Sequence, residues 1–424
     1  MSEFSSRLPG FYKLSVAERR ARVAELRGLS EAEVELLSRF GNLDEKVADS
    51  MIENVIGAMS FPFAIATNFR VNGRDVLVPM VIEEPSVVAA ASNAARMLRH
   101  GDGIIARAGP QEMIGQIHVV GVGAPQHKAF ELLRHKEEIL EMAKHTNPTL
   151  LKLGGGPRDL EVRVLETRRG PVLAVHLIVD VVDAMGANTV NTMVEAIAPF
   201  VEKVTGGKAR LRILSNYAVR RIARAWAKTP VEEVGGTEVA EAIAEASAIA
   251  EADPYRAVTH NKGIMNGIIA VALATAQDHR AIEAGAHAYA ARSGTYKPLS
   301  SWEVDGGYLV GTLEVPLQVG TVGGVVTVHP VAKLALKIMG VRRASELAEI
   351  MAAVGLAQNL AALRALVTTG IQAGHMRLHA RSLAISAGAT GDMIDVVAEA
   401  MVREGKISFE RAKELVEELR KRGS

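Results

Sequence analysis

The sequence predicts an α+β protein: a large helix-rich domain interrupted by a small sheet-bearing unit and followed by a helical tail. Three observations predict it. The 424 residues are 48% hydrophobic but only 4% aromatic. The core is therefore built from Ala, Val, Leu, Ile and Met, which suits closely approaching helices. Strand and helix patterns between residues 116 and 214 follow one another in a single legible order. From Ile371 onward the chain reads as three helical pieces broken by Gly388, Gly391 and Gly405.

At the N-terminus, Ser15-Val16-Ala17-Glu18 and Ser30-Glu31-Ala32-Glu33 match the capping box, a serine followed three residues later by a glutamate. Each opens a short helix. Val76–Glu84 reads as a strand, and Ser86–His100 beyond Pro85 as an alanine-rich helix. Glu83 and Glu84 thus fall at a strand-to-helix junction, where side chains commonly face a cleft. Gln116–Val122 alternates as a strand, and Ala124–His145 carries a helical period. Leu160–Glu166 and Val172–Asp180 are strands joined through Arg168-Arg169-Gly170-Pro171. Asn188–Val204 is helical, and Lys208–Leu214 is a strand after Gly206-Gly207. The order is β-α-β-β-α-β, the split βαβ or ferredoxin-like arrangement.

From Tyr217 onward helices dominate: Glu238–Ala252, Gly263–Ala276, Arg280–Arg292, Val331–Met339 and Ala344–Leu366. Tyr308–Leu317 reads as a strand leading into the glycine loop Gly320-Thr321-Val322-Gly323-Gly324. The expected divisions are 1–110 and 216–370 for the two parts of the large domain, 111–215 for the small domain and 371–424 for a C-terminal helical flap.

Composition excludes several function classes. Forty-nine Lys and Arg nearly balance forty-eight Asp and Glu, so a polyanion such as nucleic acid is not expected as the main ligand. The absence of cysteine removes disulfides, thiol catalysis and Cys-ligated zinc, and fits a cytoplasmic protein. Met1–Arg20 is polar, so no signal peptide is expected. Val172–Val182, taken as the most apolar stretch, is too short for a bilayer and holds His176 and Asp180, so no membrane association is expected.

Lys262 is the most informative single residue. It lies in Thr259-His260-Asn261-Lys262-Gly263-Ile264-Met265-Asn266-Gly267, which opens into the apolar run Ile268–Ala276. A lysine at the mouth of a buried helix needs partners to offset desolvation. It fits a substrate oxyanion, a Schiff base, or simply a helix-start lysine whose stem packs while its head reaches water. Asp183-Ala184-Met185-Gly186-Ala187-Asn188 lies where a strand hands over to a helix. Its small residues admit close backbone approach, and the helix start offers free N–H groups to phosphate; an Asp-capped tight turn is the alternative. Gly121-Val122-Gly123 lacks the third glycine of a Rossmann fingerprint. The loop Gly320–Gly324 is a second candidate for close backbone contact, with a plain loop after a strand as the favoured alternative; Gly154-Gly155-Gly156-Pro157 is similar and reads as a flexible connector. His375 and His379 share a helix face at metal-ligand spacing, but no third ligand is evident, so no metal is expected and His375 reads better as a general acid. Asp278 follows the apolar helix, sixteen residues beyond Lys262 and about 24 Å away along a straight helix. A direct pair would need a chain bend or a second subunit.

Together these pieces resemble class II 3-hydroxy-3-methylglutaryl-CoA (HMG-CoA) reductases, in particular the bacterial mevalonate-degrading type. The stretches that carry the likeness are Glu53-Asn54-Val55-Ile56-Gly57, Glu83-Glu84-Pro85-Ser86, Asp183–Asn188, Asp253-Pro254-Tyr255-Arg256, Thr259–Gly267, Gly320–Gly324 and Gly374-His375-Met376. They keep the family's order over nearly the whole chain. The resemblance implies reduction of a thioester by two successive hydrides, or the reverse, with mevalonate and free coenzyme A as products. It assigns Lys262 to the oxyanion, Glu84 to proton donation, Asp278 to completing a Lys–Glu–Asp network in which it tunes both neighbours, and His375 to protonation of the coenzyme A thiolate. Glu53, Ser86, Arg256, Thr259 and Asn266 fall at positions used around the substrate, with Arg256 facing its free carboxylate. Asp183, Met185, Gly186, Asn188 and Gly323 fall at positions used by the dinucleotide, within the ferredoxin-like cofactor domain. A homodimer, or a multiple of dimers, with the active site between subunits is implied too.

One departure concerns the cofactor. Where the NAD-specific type carries an aspartate that selects the ribose 2′-hydroxyl, ungapped counting places Asn147, with Lys144, His145 and Lys152 nearby. Asparagine does not repel a 2′-phosphate. NAD(H) is therefore expected, with NADP(H) also accepted and mevalonate degradation as the direction. The alternatives are a mevalonate-synthesising reductase preferring NADPH and, apart from the family, a lysine-dependent lyase or a non-catalytic scaffold whose Ala-rich helices mediate assembly.

Overall fold

The computed structural model describes residues 4–41, 43–368 and 371–422, with side chains throughout except at residues 371–378 and Arg422. Both N-terminal capping boxes form: the Ser15 and Ser30 hydroxyls accept from the Glu18 and Glu33 N–H groups, and each glutamate returns the bond. They start α1 (Val16–Arg27) and α2 (Glu31–Ser38); α3 (Glu45–Met51) follows. The chain then forms β1 (Phe63–Val71), β2 (Arg74–Val81), α4 (Val87–Met97), β3 (Ile105–Ala108) and β4 (Glu112–Val120).

The helix expected over 124–145 is two helices meeting at His135, α5 (Pro125–Arg134) and α6 (Lys136–Lys144), with a further short α7 (Pro148–Lys152). Next come β5 (Gly156–Leu165), β6 (Val172–Asp180), α8 (Ala187–Thr205) and β7 (Lys208–Ser215). The sheet order is β5-β6-β4-β7, antiparallel throughout. With α5 and α6 between its first two strands and α8 between its last two, this is the expected ferredoxin-like topology. Its core joins Ile117, Leu173 and Val175 of the sheet to Leu132, Ile139, Val190, Val194 and Ile197 of the helices.

The large domain holds more sheet than the sequence suggested. Beyond β7 lie β8 (Ile222–Pro230), α9 (Val231–Val234), α10 (Thr237–Ala252), α11 (Pro254–Ala274), α12 (His279–Ala290), β9 (Ser300–Asp305) and β10 (Tyr308–Pro316). β1 and β2 form an antiparallel hairpin, and β3-β8-β10-β9 an antiparallel sheet. β8 escaped the sequence reading because its buried side is Ala223, Ala225 and Ala227, alternating with exposed Arg224, Trp226 and Lys228. Alanine favours helices by propensity, but here the small side chains let α15 approach the sheet.

The chain ends in α13 (Gly324–Val328), α14 (Pro330–Met339), α15 (Ala344–Val367), α16 (Ile371–Ser386), α17 (Met393–Glu404) and α18 (Phe409–Arg422). Among the described residues α15, not Val172–Val182, is the helix long and apolar enough to cross a membrane; 67% of its most apolar window is buried inside the protein. It is the central core helix, packed on α11, α4, β3 and β8. α16, α17 and α18 enclose a separate core of Ala384, Val397, Met401, Ala412 and Val416. Gly405 caps α17 in the left-handed region, as its sequence position predicted.

Candidate functional site

Asp253 and Pro254 start α11. The Asp253 carboxylate accepts from the Tyr255 N–H at 3.0 Å, and Pro254 occupies a position that needs no donor. The helix therefore begins nine residues before the expected Gly263, and Lys262 lies within it rather than at its mouth. Thr259, Lys262 and Asn266 are spaced i, i+3, i+7 along the outer stripe. Thr259 and Lys262 are exposed and Asn266 is half-buried. The expected burial of Lys262 is thus not found in a single chain: its side chain is 59% exposed. The partner is as expected. Lys262 Nζ lies 3.6 Å from Glu84 Oε2.

Glu84 sits on the short link between β2 and α4. Ser86, two residues on, begins α4 with φ of 74°, a left-handed backbone unusual for serine. Arg256 is half-buried on α11, and burial pulls its guanidinium below the ordinary arginine range. Asp278 caps α12, accepting from Ala281 N–H at 3.0 Å, and pairs with Arg280 at 3.2 Å. The Lys262–Asp278 leg of the expected network is not formed within one chain. α11 runs unbroken from Lys262 to Ala274, a rise of about 18 Å, so no bend folds the helix back. Glu53 is exposed beyond α3 and makes no ion pair among the described residues. His375 falls on α16, and its side chain lies outside the described residues.

The inner face of α11 is held by a buried polar network. His260 Nε2 meets Ser300 Oγ at 2.7 Å, and Ser300 Oγ donates to Asn359 Oδ1 at 2.9 Å. Trp302 Nε1 donates to the same oxygen at 2.7 Å. The single Ser300 hydroxyl proton is committed, so His260 must donate through Nε2–H. His260 Nδ1 is buried without a partner. Burial first, and the charge of Arg256 second, push the imidazole down to about 4. Asn261 adds a two-way bond to the Lys297 carbonyl and the Leu299 N–H. His260 and Asn261 thereby fix the azimuth of the stripe that carries Lys262.

A second locus forms where β6 hands over to α8. Gly186 begins α8 at φ 101° without a side-chain cap, leaving the first-turn N–H groups, Asn188 among them, without helical acceptors. The Asp183 carboxylate does not cap α8; it accepts from Ala344 N–H at the start of α15, at 2.8 Å. Its carbonyl accepts from Thr321 N–H at 2.8 Å, and Ala184 bridges Val322. A Cβ on Gly320 would stand 2.6 Å from the Met185 nitrogen. The loop Gly320–Gly324 is therefore pressed against the 183–186 turn, the close backbone contact that was the less favoured of its two readings, and Gly323 leads into α13 beside it.

Asn147 lies beyond α6 and caps α7, its Oδ1 accepting from Leu150 N–H at 3.0 Å. Gly155, expected in a flexible connector, is wedged instead: a Cβ there would meet the Asp180 carbonyl, Leu150 and Val182 within 2.8 Å. It brings α7 up beside the turn.

The sequence reading missed Arg221, which is 1% exposed. Nη1 donates to the Ala184 and Met185 carbonyls at 3.2 and 3.1 Å, and Nη2 to Gln111 Oε1 and the Val319 carbonyl at 2.6 and 2.7 Å. Burial pulls it down to about 10, with Asp180 and Asp183 acting in the opposite sense, so it remains a cation at neutral pH. Gln277, beside Asp278, was missed as well. Its side-chain amide bonds Gly320 in both directions, at 2.8 and 2.9 Å. Nothing in the local pattern marks either residue, because their partners are distant in sequence.

An ammonium beside a carboxylate on an open stripe can meet an oxyanion and move a proton. An uncapped helix start above a buried cation can hold phosphate groups. The family model for hydroxymethylglutaryl-coenzyme A reductase matches residues 15–380. The 3-hydroxy-3-methylglutaryl-coenzyme A reductase of Archaeoglobus fulgidus is 59% identical over 417 residues, 98% of this chain and 95% of that protein. The probable reductase of Borreliella burgdorferi is 37% identical over 90% of this chain and 88% of that protein. A solved reductase structure from Streptococcus pneumoniae superposes with a TM-score of 0.83 at 41% identity, covering 97% of this chain and 99% of that one. A structure of the class II enzyme from the same organism, bound to NADPH in open conformations, gives 0.82 at 41% identity over 96% and 100% of the two chains. The fold, the paired Lys262 and Glu84 and these relatives agree: the chain belongs to the hydroxymethylglutaryl-coenzyme A reductases, a family of oxidoreductases.

Proposed function

We propose that the chain interconverts HMG-CoA with mevalonate and coenzyme A. The contact between Lys262 and Glu84 is the observation that carries this reading. Lys262 places its charge against the carbonyl oxygen as it becomes an oxyanion, in the thioester step and again in the aldehyde step. Glu84 exchanges the proton: it gives one to the alkoxide during reduction and, as the carboxylate of the ion pair, takes one from the alcohol during oxidation. Asp278 completes the charge balance, and His375 protonates the departing coenzyme A thiolate. Arg256 receives the free carboxylate of the substrate, and Glu53, Ser86, Thr259 and Asn266 surround it.

A nicotinamide dinucleotide supplies the hydride equivalents. The residues present suit it. The uncapped start of α8, with Gly186 and Asn188, offers N–H groups to its phosphates, and Asp183, Met185 and Gly323 shape the turn around them. Asn147, which caps α7 through Oδ1, carries no charge that would repel a 2′-phosphate, and an amide can hydrogen-bond a hydroxyl or a phosphate. NAD(H) use with NADP(H) accepted follows, in a mevalonate-degrading enzyme. The second reading, synthesis with NADPH preferred, draws on the NADPH-bound structure from Streptococcus pneumoniae.

The proposed division is 1–110 and 216–370 for the large domain, 111–215 for the cofactor domain and 371–424 for a flap that brings His375 over the site; the separate cores support it. A homodimer in the cytoplasm, with the site between subunits, is the proposed assembly. The uncovered stripe of α11, with Tyr255 and Val258 exposed, and the exposed Ile56 and Met59 beyond α3 support it. The deciding experiment supplies mevalonate and coenzyme A with NAD and NADP in parallel and follows nicotinamide absorbance. Turnover that needs both mevalonate and coenzyme A is expected with either nucleotide, faster with NAD. No such turnover with either one defeats the proposal.

A further inference from the structure

We propose that Arg221 is the positioning residue of the dinucleotide site, and that Gln277 extends its hold to the loop bearing Asp278. The inference rests on the reading of the 183–188 turn as that site.

A guanidinium that is 1% exposed and touches no carboxylate is an expensive feature, and the fold must gain from keeping it. Arg221 meets four oxygens from three separate places. Two are consecutive carbonyls of the turn, Ala184 and Met185; one is the Val319 carbonyl; one is Gln111 Oε1 at the head of β4. Across a trans peptide the carbonyl and the next N–H point in opposite directions. Drawing the Met185 carbonyl inward therefore turns the Gly186 N–H away from Arg221, and no protein acceptor meets that N–H among the described residues. The fork sets both the orientation of this donor and the place where α8 starts. A lysine keeps the charge but cannot fix two consecutive carbonyls and two further oxygens in one plane.

The hold continues through residues 317–320. Leu317 N–H donates to the Arg221 carbonyl at 3.0 Å, so the residue grips this segment with its backbone as well as its side chain. Gln318 Nε2 donates to the Ala281 carbonyl in the first turn of α12 at 2.7 Å. Gln277 closes its two-way bond on Gly320, whose Cα lies against Met185. The cofactor turn and the Asp278-bearing loop are thus fastened to the same four residues.

The test measures KM for the nucleotide, KM for HMG-CoA, kcat and thermal midpoint in the full-length enzyme for Arg221→Lys, Gln111→Ala, Gln277→Glu and Asn188→Asp. In Arg221→Lys the nucleotide KM should rise about tenfold while the HMG-CoA KM stays within about twofold, since ground-state binding of one ligand is what is lost. Gln111→Ala removes one acceptor at a half-buried position and should give about threefold in the same direction. Gln277→Glu keeps the bond from Gly320 N–H but sets an oxygen against its carbonyl. It should raise the nucleotide KM and lower kcat together. Thermal midpoints that fall with the nucleotide KM unchanged in both Arg221→Lys and Gln111→Ala overturn the proposal, leaving Arg221 a structural residue only. If Arg221→Lys does not fold, an unchanged KM in folded Gln111→Ala overturns it equally. Asn188→Asp puts a carboxylate at the start of α8 and separates the two claims: an unchanged nucleotide KM there defeats the reading of the turn itself, whereas a raised one beside an unaffected Arg221→Lys defeats only the positioning role.

Discussion

His260 lies two residues before Lys262 and faces the other way, into the core. Its Nε2–H is committed to Ser300, and its buried Nδ1 has no partner to receive a new N–H. Protonation would leave a charge beside Arg256 in a site that offers it nothing. The folded imidazole is accordingly pushed down to about 4 from an ordinary 6.5. Because the folded value is lowered, the unfolded chain binds more protons between the two. The associated stability is complete above pH ~6.5 and is lost as pH falls toward ~4. At pH 5 the loss amounts to about 2 kcal/mol, from the ratio of the two binding polynomials. For a chain of this size that is about 2 °C in thermal midpoint. His260→Gln keeps a donor for Ser300 but cannot take up the proton. The wild-type advantage over His260→Gln should therefore shrink by about 2 °C between pH 7 and pH 5, with the contributions of other histidines cancelling in the difference. Trp302, which donates into the same network, gives a local fluorescence signal for the melt. An advantage that stays constant across that range refutes the reasoning, as does a nitrogen NMR titration showing Nδ1 protonated at pH 6.

Three further outcomes follow from the geometry. Lys262→Ala should lower kcat about a thousandfold yet move the thermal midpoint by less than about 1 °C, because the pair it breaks is exposed; steady-state rates with calorimetry check both halves. Asn147→Asp should raise the ratio of NAD to NADP efficiency by about tenfold, since a carboxylate repels the 2′-phosphate; parallel kcat/KM measurements read it directly. Gly115→Ala should destabilise the ferredoxin-like unit by about 1–3 kcal/mol. The added Cβ on β4 meets Val194 and Val190 of α8 at 2.5 and 2.8 Å, and hydrogen exchange in that unit should quicken.

What the sequence made legible is what local patterns encode. Ser15 with Glu18 and Ser30 with Glu33 are caps written within four residues, and they form as read. The β-α-β-β-α-β order was readable because Val172–Asp180 and its neighbours are strongly apolar and bounded by glycines. β8 was not, because alanine on its buried side carries no strand signature. The start of α11 was readable in principle, since Asp253-Pro254 is as plain a cap as Ser15. It was overlooked in favour of the apolar run beyond Lys262, and Lys262 was expected deeper than it lies. Glu84 was paired with Lys262 through the family likeness rather than through spacing. Arg221 had no local signal at all. Its acceptors are backbone carbonyls 36, 37 and 98 residues away and a side chain 110 away, a bond set that exists only in three dimensions.

α15 has a consequence for how the polypeptide is made. The large-domain elements it covers, β3, β8, β10, α4, α10 and α11, precede it on the ribosome, and each must wait for residues 344–367 to cover it. The interior of the ferredoxin-like unit takes no residue from that segment and can close as soon as Ala218 has emerged, leaving only the Asp183 contact to Ala344 to form later. Synthesis thus imposes a sequence of events: an early, self-sufficient unit forms inside an unfinished host, and the host is sealed late by its greasiest strip. Truncations ending between residues 218 and 344 should retain a folded middle within a collapsed, chaperone-dependent surround.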